Sequence, residues 1–197
     1  MLERALIIIL TYAFIGGGLK YIDQVYDIHV FDDSIAWILS VLCGLLMGTL
    51  IALDSPSAII LLGIIISVGI TRKIDNPPFY IVALLSIIIP VFLNFTSIIS
   101  DYEFGINLIP LTFIITSGIL DEFLDEMGDR KKIKALTFRP FMKIMVLLLC
   151  IFNIFSYIYF LAFLAFDLAY IYVTWYSHRA VKTMTSLERK GRGVIVE

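Results

Sequence analysis

Charged residues are scarce in this chain: they make up 16% of its 197 residues, whereas 60% are hydrophobic. A soluble domain of this length needs much more polar surface, so the composition excludes an ordinary soluble protein. Cysteine and histidine are equally rare, with two of each. Cys43 and Cys150 both fall inside apolar runs, which argues against a disulfide framework or a zinc site. No small-residue cleavage site follows the first apolar run, so no cleavable signal peptide is expected.

Apolar runs make up most of the chain and predict an all-α integral membrane protein, a bundle of about seven transmembrane helices. The segments cover residues 5–22, 35–53, 57–71, 79–98, 106–123, 139–154 and 157–176. The last two are nearly continuous, and we divide them near Asn153 because about 38 residues are too many for one crossing. Near the end of the first segment, Gly16, Gly17 and Gly18 allow either a close approach of another helix or a local break.

The basic residues are concentrated on one side of this bundle. With seven crossings, three loops and the C-terminal tail share one side, and of the 15 Lys and Arg residues only Arg4 falls on the other. The positive-inside rule therefore predicts an external N terminus and a cytoplasmic C terminus. The chain is divided into a transmembrane helical domain, residues 1–178, and a cytoplasmic basic tail, residues 179–197. A location in the cell membrane is expected.

Two clusters of aspartates lie at predicted cytoplasmic helix ends: Asp23 and Asp27, and then Asp121, Asp125 and Asp129. A step of four residues returns to nearly the same face of a helix, so each set projects its carboxylates in one direction. Two facing sets would bind a hard divalent cation and the anion that it carries. Mg²⁺ is the expected cation, since it is typically held by one or two carboxylates together with substrate phosphates.

The second cluster resembles a motif of the UbiA superfamily of intramembrane prenyltransferases, D-x-x-x-D-x-x-x-D, which Asp121, Asp125 and Asp129 match in full. The segment 134–140, which ends in Arg-Pro, resembles the basic loop that follows such motifs. The order of the helices also agrees. The family fold has nine helices with motifs on the second and sixth, and removal of the first and last gives the arrangement expected here.

The first motif of that family, N-D-x-x-D-x-x-x-D, is matched only at its last two aspartates, Asp23 and Asp27. Leu19 and Lys20 stand where the family has Asn and the leading Asp. This removes possible ligands of one metal ion and puts a cation in their place. Lys20 would then contact a diphosphate directly or neutralise a site that no longer binds metal, and the chain would be a minimal, dimeric or non-catalytic relative.

The resemblance implies a Mg²⁺-dependent prenyltransferase of isoprenoid or lipid biosynthesis, whose active site faces the cytoplasm. The donor would be a polyprenyl diphosphate and the acceptor a lipid or aromatic compound. Asp121 and Asp125 would be catalytic. The expected metal ligands are Asp23, Asp27, Asp121, Asp125 and Asp129, and the expected diphosphate contacts are Lys20, Arg72, Lys73, Arg130 and Arg139. Membrane lipids and a second copy of the chain are the other expected partners, and no nucleic acid is expected.

Other functions fit the same residues. The chain would be a divalent-cation transporter or channel if the facing aspartates formed an ion entry site, or a non-catalytic membrane subunit. In the simplest alternative, the acidic helix ends are only solvated and the basic run 130–143 anchors the chain to anionic lipid. Asp167 lies inside the seventh segment, where a carboxylate costs about 3 kcal/mol to insert. It should face the bundle interior and a partner there, such as a tyrosine hydroxyl, or a substrate.

Overall fold

The computed structural model describes residues 2–29, 31–74, 76–95, 106–131 and 139–192, apart from the side chains of residues 126, 128–131 and 184–192. All of the regular structure in these residues is helical. The helices are α1 (Leu2–Ile28), α2 (Asp33–Leu53), α3 (Ser55–Ile70), α4 (Pro77–Phe95), α5 (Leu108–Lys131), α6 (Pro140–Ile151) and α7 (Tyr157–Arg192). Each predicted apolar segment lies on one of them, so the all-α prediction is confirmed.

Four of the helices are long and apolar enough to cross a membrane: α1, α2, α4 and residues Tyr157–Thr183 of α7. The helices α3 and α6 are apolar but shorter. Large apolar side chains cover the outside of the bundle, and Leu84 and Val91 of α4 are 57% and 65% exposed. Such a surface is unfavourable in water but suits the hydrocarbon of a bilayer. These features support the prediction of a membrane protein.

Aspartates and a left-handed residue set the turns between the helices. The Asp32 carboxylate accepts a hydrogen bond from the Ser34 amide at 2.7 Å, and Asp54 accepts one from the Ser57 amide at 3.0 Å, so both cap the helix that follows. Between α6 and α7 the chain reverses at Asn153, whose φ is 58°. Asn tolerates this conformation better than most residues, and the predicted division at Asn153 is confirmed.

Six of the helices form a closed circuit in which each helix packs on two others. Helix α1 packs on α2 and α7, α3 packs on α2 and α5, and α6 lies between α5 and α7. Helix α4 lies outside this circuit and packs mainly on α2. The acidic ends of α1 and α5 are therefore on the same bundle without being on adjacent helices.

Glycines set the closest contacts between helices. A methyl group at Gly16 would lie 2.2 Å from the Phe166 carbonyl oxygen, so the backbones of α1 and α7 touch there. Helix α1 continues through this position, and the alternative of a local break is therefore wrong. Gly44 and Gly48 of α2 likewise admit α4, because a methyl group at either would lie 2.8 Å from a side-chain carbon of that helix.

Helix α7 continues past the predicted domain boundary at residue 178 and ends at Arg192. Its 36 residues span about 54 Å, which exceeds the roughly 30 Å of a bilayer's hydrocarbon core. The last turns of α7 therefore extend beyond the apolar part of the bundle.

Candidate functional site

A cavity of about 670 Å³ lies at the end of the bundle where α1, α3 and α5 finish, which we call the cavity end. Residues of α1 to α5 and α7 line it, together with the segments that precede α4 and α6. Its charged lining residues are Lys20, Asp23, Asp27, Lys73, Asp121, Glu122, Asp125 and Arg139. The structure thus brings Asp23 and Asp27 of α1 and Asp121 and Asp125 of α5 to the walls of a single cavity.

The cavity changes from charged to apolar along the helices. Leu19, Met47, Ile64, Val82 and Phe166 line it and are nearly inaccessible to solvent. Met47 lies near the middle of α2 and Phe166 lies one turn before Tyr170 on α7, whereas Asp23 and Asp27 lie in the last two turns of α1. The cavity therefore joins a charged mouth to an apolar base, which is the polarity of an amphiphilic molecule.

Lys20 is held inside the mouth by two contacts. Its ammonium group forms an ion pair with Asp23, three residues further along α1. Its Nζ also lies 5.0 Å from the centroid of the Tyr170 ring of α7, a distance at which the ring face attracts a cation. The Lys20 side chain is only 12% exposed, so the charge of this lysine is directed into the cavity rather than into bulk solvent.

Arg139 approaches the same tyrosine from the segment before α6. Its guanidinium carbon lies 4.7 Å from the Tyr170 ring centroid, and its Nη2 lies 3.4 Å from the Glu122 carboxylate. Two cations from different parts of the chain thus converge on one aromatic ring. Each also has an acidic partner, which offsets the repulsion between them.

Asp121 makes a different kind of contact from the other aspartates. Its two carboxylate oxygens accept hydrogen bonds from the backbone amides of Phe141 and Met142, at 2.9 and 2.8 Å. The residue is 2% exposed. These amides belong to the first turn of α6, where helical N–H groups lack intrahelical acceptors. Asp121 therefore caps a neighbouring helix as well as lining the cavity.

The remaining predicted site residues are divided between the cavity and its surroundings. Asp27, Asp125 and Lys73 line the cavity. Arg72 lies in the turn after α3 with a φ of 57° and is not one of the cavity's lining residues. The side chains of Asp129 and Arg130, in the last turn of α5, lie outside the described part of the structure.

The side chains that line the cavity determine how a metal ion could be bound there. Among the side chains that the structure describes, no three His, Cys, Asp or Glu residues form a group that could hold a metal ion. Mg²⁺ needs only one or two protein carboxylates when substrate phosphates and water complete its coordination. Asp27 and Asp125, on facing helices of the cavity, suit that arrangement.

A buried ion pair supports the wall of the cavity. Asp167 of α7 lies 2.6 Å from the Nζ of Lys143 in the first turns of α6, and its side chain is 7% exposed. We expected Asp167 to have a partner inside the bundle, and that partner is Lys143. Sequence alone had placed Lys143 in a basic run that anchors the chain to lipid. Lys143 follows Arg139 by four residues, and this spacing was the sequence signal that the two cations lie on the same side of the chain.

Sequence reasoning also missed Tyr170, Thr174 and His178, which line the cavity at intervals of four residues along α7. That spacing was a usable signal, because it places three polar side chains on one face of the helix. Comparison of the chain with protein-family models, curated proteins and solved structures finds no match. The resemblance to UbiA-type enzymes therefore rests on the aspartate motifs and the order of the helices, and the chemistry of the cavity rests on its own residues.

Proposed function

We propose that the chain is a membrane prenyltransferase similar to the UbiA superfamily, which binds a polyprenyl diphosphate donor in the cavity. The observation that supports it most is that α1 and α5 carry their aspartates to one cavity with an apolar base. We also propose seven crossings with the N terminus outside. The cavity end then faces the cytoplasm, because nearly all Lys and Arg residues lie on that side.

The cations of the mouth would bind the diphosphate. Lysine and arginine form strong charge-assisted hydrogen bonds to phosphate oxygens, and the planar guanidinium of arginine can donate two at once. Lys20 and Arg139 are both largely buried, so an anion near Tyr170 would meet them where water competes weakly. Lys73 adds a third positive charge to the lining.

The carboxylates would bind Mg²⁺ between protein and donor. Asp27 of α1 and Asp125 of α5 line the cavity and are the ligands that we propose, and Asp23 and Asp129 lie one helical turn from them in sequence. When bound, Mg²⁺ would neutralise the charge that develops on the departing diphosphate.

The apolar base would take the hydrocarbon tail. A cavity of about 670 Å³ falls within the roughly 300–1,000 Å³ that is usual for small-molecule sites. With the diphosphate at the mouth, the tail would extend past Phe166 toward Met47 and Ile64. Cleavage of the carbon–oxygen bond gives diphosphate and an allylic cation, which aromatic faces such as that of Phe166 stabilise. The acceptor then bonds to this carbon and loses a proton.

The test uses the full-length protein in nanodiscs with geranylgeranyl diphosphate as the probe. Binding and release of diphosphate are measured over a range of Mg²⁺ concentrations for wild type, Asp27→Asn and Asp125→Asn. We expect wild type to bind the probe more tightly with Mg²⁺ than without it and to release diphosphate only with Mg²⁺, and we expect a loss of release of about 100-fold in either variant. Glu3→Gln, the same kind of change at the other end of the bundle, should behave as wild type.

Three results would contradict parts of this proposal. If wild type binds no geranylgeranyl diphosphate at any Mg²⁺ concentration, the cavity is not a prenyl diphosphate site. If it binds the probe but releases no diphosphate, the chain is a non-catalytic relative, and Lys20 is the first residue to examine. If Mg²⁺ crosses liposomes that contain the protein, the transporter function is correct instead.

A further inference from the structure

The start of α6 depends on a residue of another helix. The residue that precedes α6, Arg139, gives that helix no side-chain cap. The amides of Phe141 and Met142 instead donate to the two oxygens of Asp121, which is 20 positions earlier in the chain. Because both oxygens are used and Asp121 is almost wholly buried, this carboxylate fixes the place and direction of the first turn of α6.

The same turn determines where Arg139 can reach. Arg139 has a φ of 46° and a ψ of 57°, the left-handed region that residues other than glycine rarely adopt. Such a conformation persists only where the surrounding structure holds it. Pro140 follows directly and begins α6, so the capped turn and the left-handed residue are adjacent. In this arrangement the Arg139 guanidinium lies against Glu122 and Tyr170 and lines the cavity.

We infer that Asp121 is a positioning residue of the cavity, which caps α6 and thereby holds Arg139 where it contacts the donor's diphosphate. The inference rests on the proposed function, because it gives Arg139 that contact. It assigns Asp121 a task other than the metal ligation that the aspartate motif predicts. Rotation of the carboxylate toward a cation would break both hydrogen bonds to the amides and uncap α6.

The first experiment measures the affinity for geranylgeranyl diphosphate in EDTA, with the full-length protein in nanodiscs. The variants are Asp121→Asn, Arg139→Gln and the double variant. An asparagine has nearly the size of an aspartate but presents one acceptor oxygen, so one amide of α6 loses its partner. We expect each single variant to bind about tenfold more weakly than wild type, and the double variant to bind no more weakly than Arg139→Gln.

The dependence of diphosphate release on Mg²⁺ concentration distinguishes a positioning role of Asp121 from a role as a metal ligand. In Asp121→Asn we expect the Mg²⁺ concentration that half-saturates diphosphate release to equal that of wild type, whereas Asp125→Asn should raise it. The inference is overturned if Asp121→Asn raises the half-saturating concentration and leaves the affinity in EDTA unchanged. Additive losses in the double variant would overturn it as well, because Asp121 would then act independently of Arg139.

A second measurement does not need a ligand and so remains informative if the proposed function fails. Hydrogen exchange at the amides of Phe141 and Met142 should be at least about tenfold faster in Asp121→Ala than in wild type, because they lose their acceptors. Exchange elsewhere in α6 and in Arg139→Gln should stay near wild type. If exchange of these two amides is unchanged, Asp121 does not cap α6 and the inference is wrong, whatever the cavity binds.

Discussion

Charged side chains are used differently at the two ends of the bundle. At the end opposite the cavity, Asp54 accepts hydrogen bonds from the Arg4 guanidinium at 3.1 Å and from the Tyr159 hydroxyl at 2.7 Å. Its second oxygen accepts the Ser57 amide, so one carboxylate joins α1, α3 and α7. At the cavity end, five carboxylates and three cations are distributed around an open volume.

This difference supports the cavity end as the proposed ligand site. The carboxylate of Asp54 has three donors and is 5% exposed, so the protein itself satisfies it. Five acidic side chains around one cavity outnumber the basic ones, and like charges in a poorly solvated space repel one another. A bound divalent cation would remove this excess, and its phosphate partner would contact the lysines and arginine. We therefore propose that the charged residues of the opposite end stabilise the fold and that those of the cavity end bind a ligand.

The largest effect on stability should come from the ion pair that supports the cavity wall. Replacing Lys143 by Met leaves the Asp167 carboxylate buried without its partner. Such an uncompensated charge should lower the free energy of unfolding by about 3 kcal/mol, which thermal unfolding in detergent would report.

The matched control removes both charges. The double variant Lys143→Met with Asp167→Leu should regain most of the lost stability, since an apolar pair can replace a buried ion pair at little cost. If the double variant is as unstable as Lys143→Met alone, the cost does not arise from an unpaired carboxylate at Asp167.

The next largest effect should come from the opposite end. Replacing Asp54 by Ala removes the cap of α3 and leaves the Tyr159 hydroxyl without its acceptor, at a cost of about 2 kcal/mol. Arg4 adds little, because its side chain is 63% exposed. The affinity for geranylgeranyl diphosphate, measured well below the unfolding temperature, should stay at the wild-type value. A loss of affinity as large as that of Asp125→Asn would show that the two ends are not separate.

The smallest effect should lie at the cavity end, on the exposed face of α7. Arg179 stacks over Trp175 with its guanidinium carbon 4.2 Å from the ring centroid. Both residues are exposed, so Arg179→Gln should cost less than about 1 kcal/mol. It should leave diphosphate release unchanged. A strong loss of activity in this variant would extend the functional site past the cavity.

The fold was largely predictable because the apolar runs are long and the turns between them are clearly marked. Asp54 and Pro56 ended one helix and began the next within two residues, and Asn153 divided a run too long for a single crossing. The position of α4 outside the circuit was not predictable. Its sequence is apolar on nearly every face, so the pattern could not show which side meets α2.

The site was predictable as a set of helix faces but not as a set of contacts. The four-residue spacing indicated that Asp23 and Asp27 share one face of α1 and that Asp121, Asp125 and Asp129 share one face of α5, and the structure places the first four of these on one cavity. It could not show that Asp121 accepts hydrogen bonds from amides of α6, because that contact depends on the packing of α6 against α5. The partnership of Lys143 with Asp167 likewise depends on the packing of α6 against α7.

The most direct test of the account is to locate a bound donor on the chain. A geranylgeranyl diphosphate analogue with a photoreactive diazirine near the end of its tail is cross-linked to the full-length protein in nanodiscs with Mg²⁺, and the labelled residues are identified by mass spectrometry. We predict label on the apolar base of the cavity, at Met47, Ile64 or Phe166, that excess geranylgeranyl diphosphate removes. Label spread over the outer face of α4, at Leu84 and Val91, and insensitive to competitor would contradict the account.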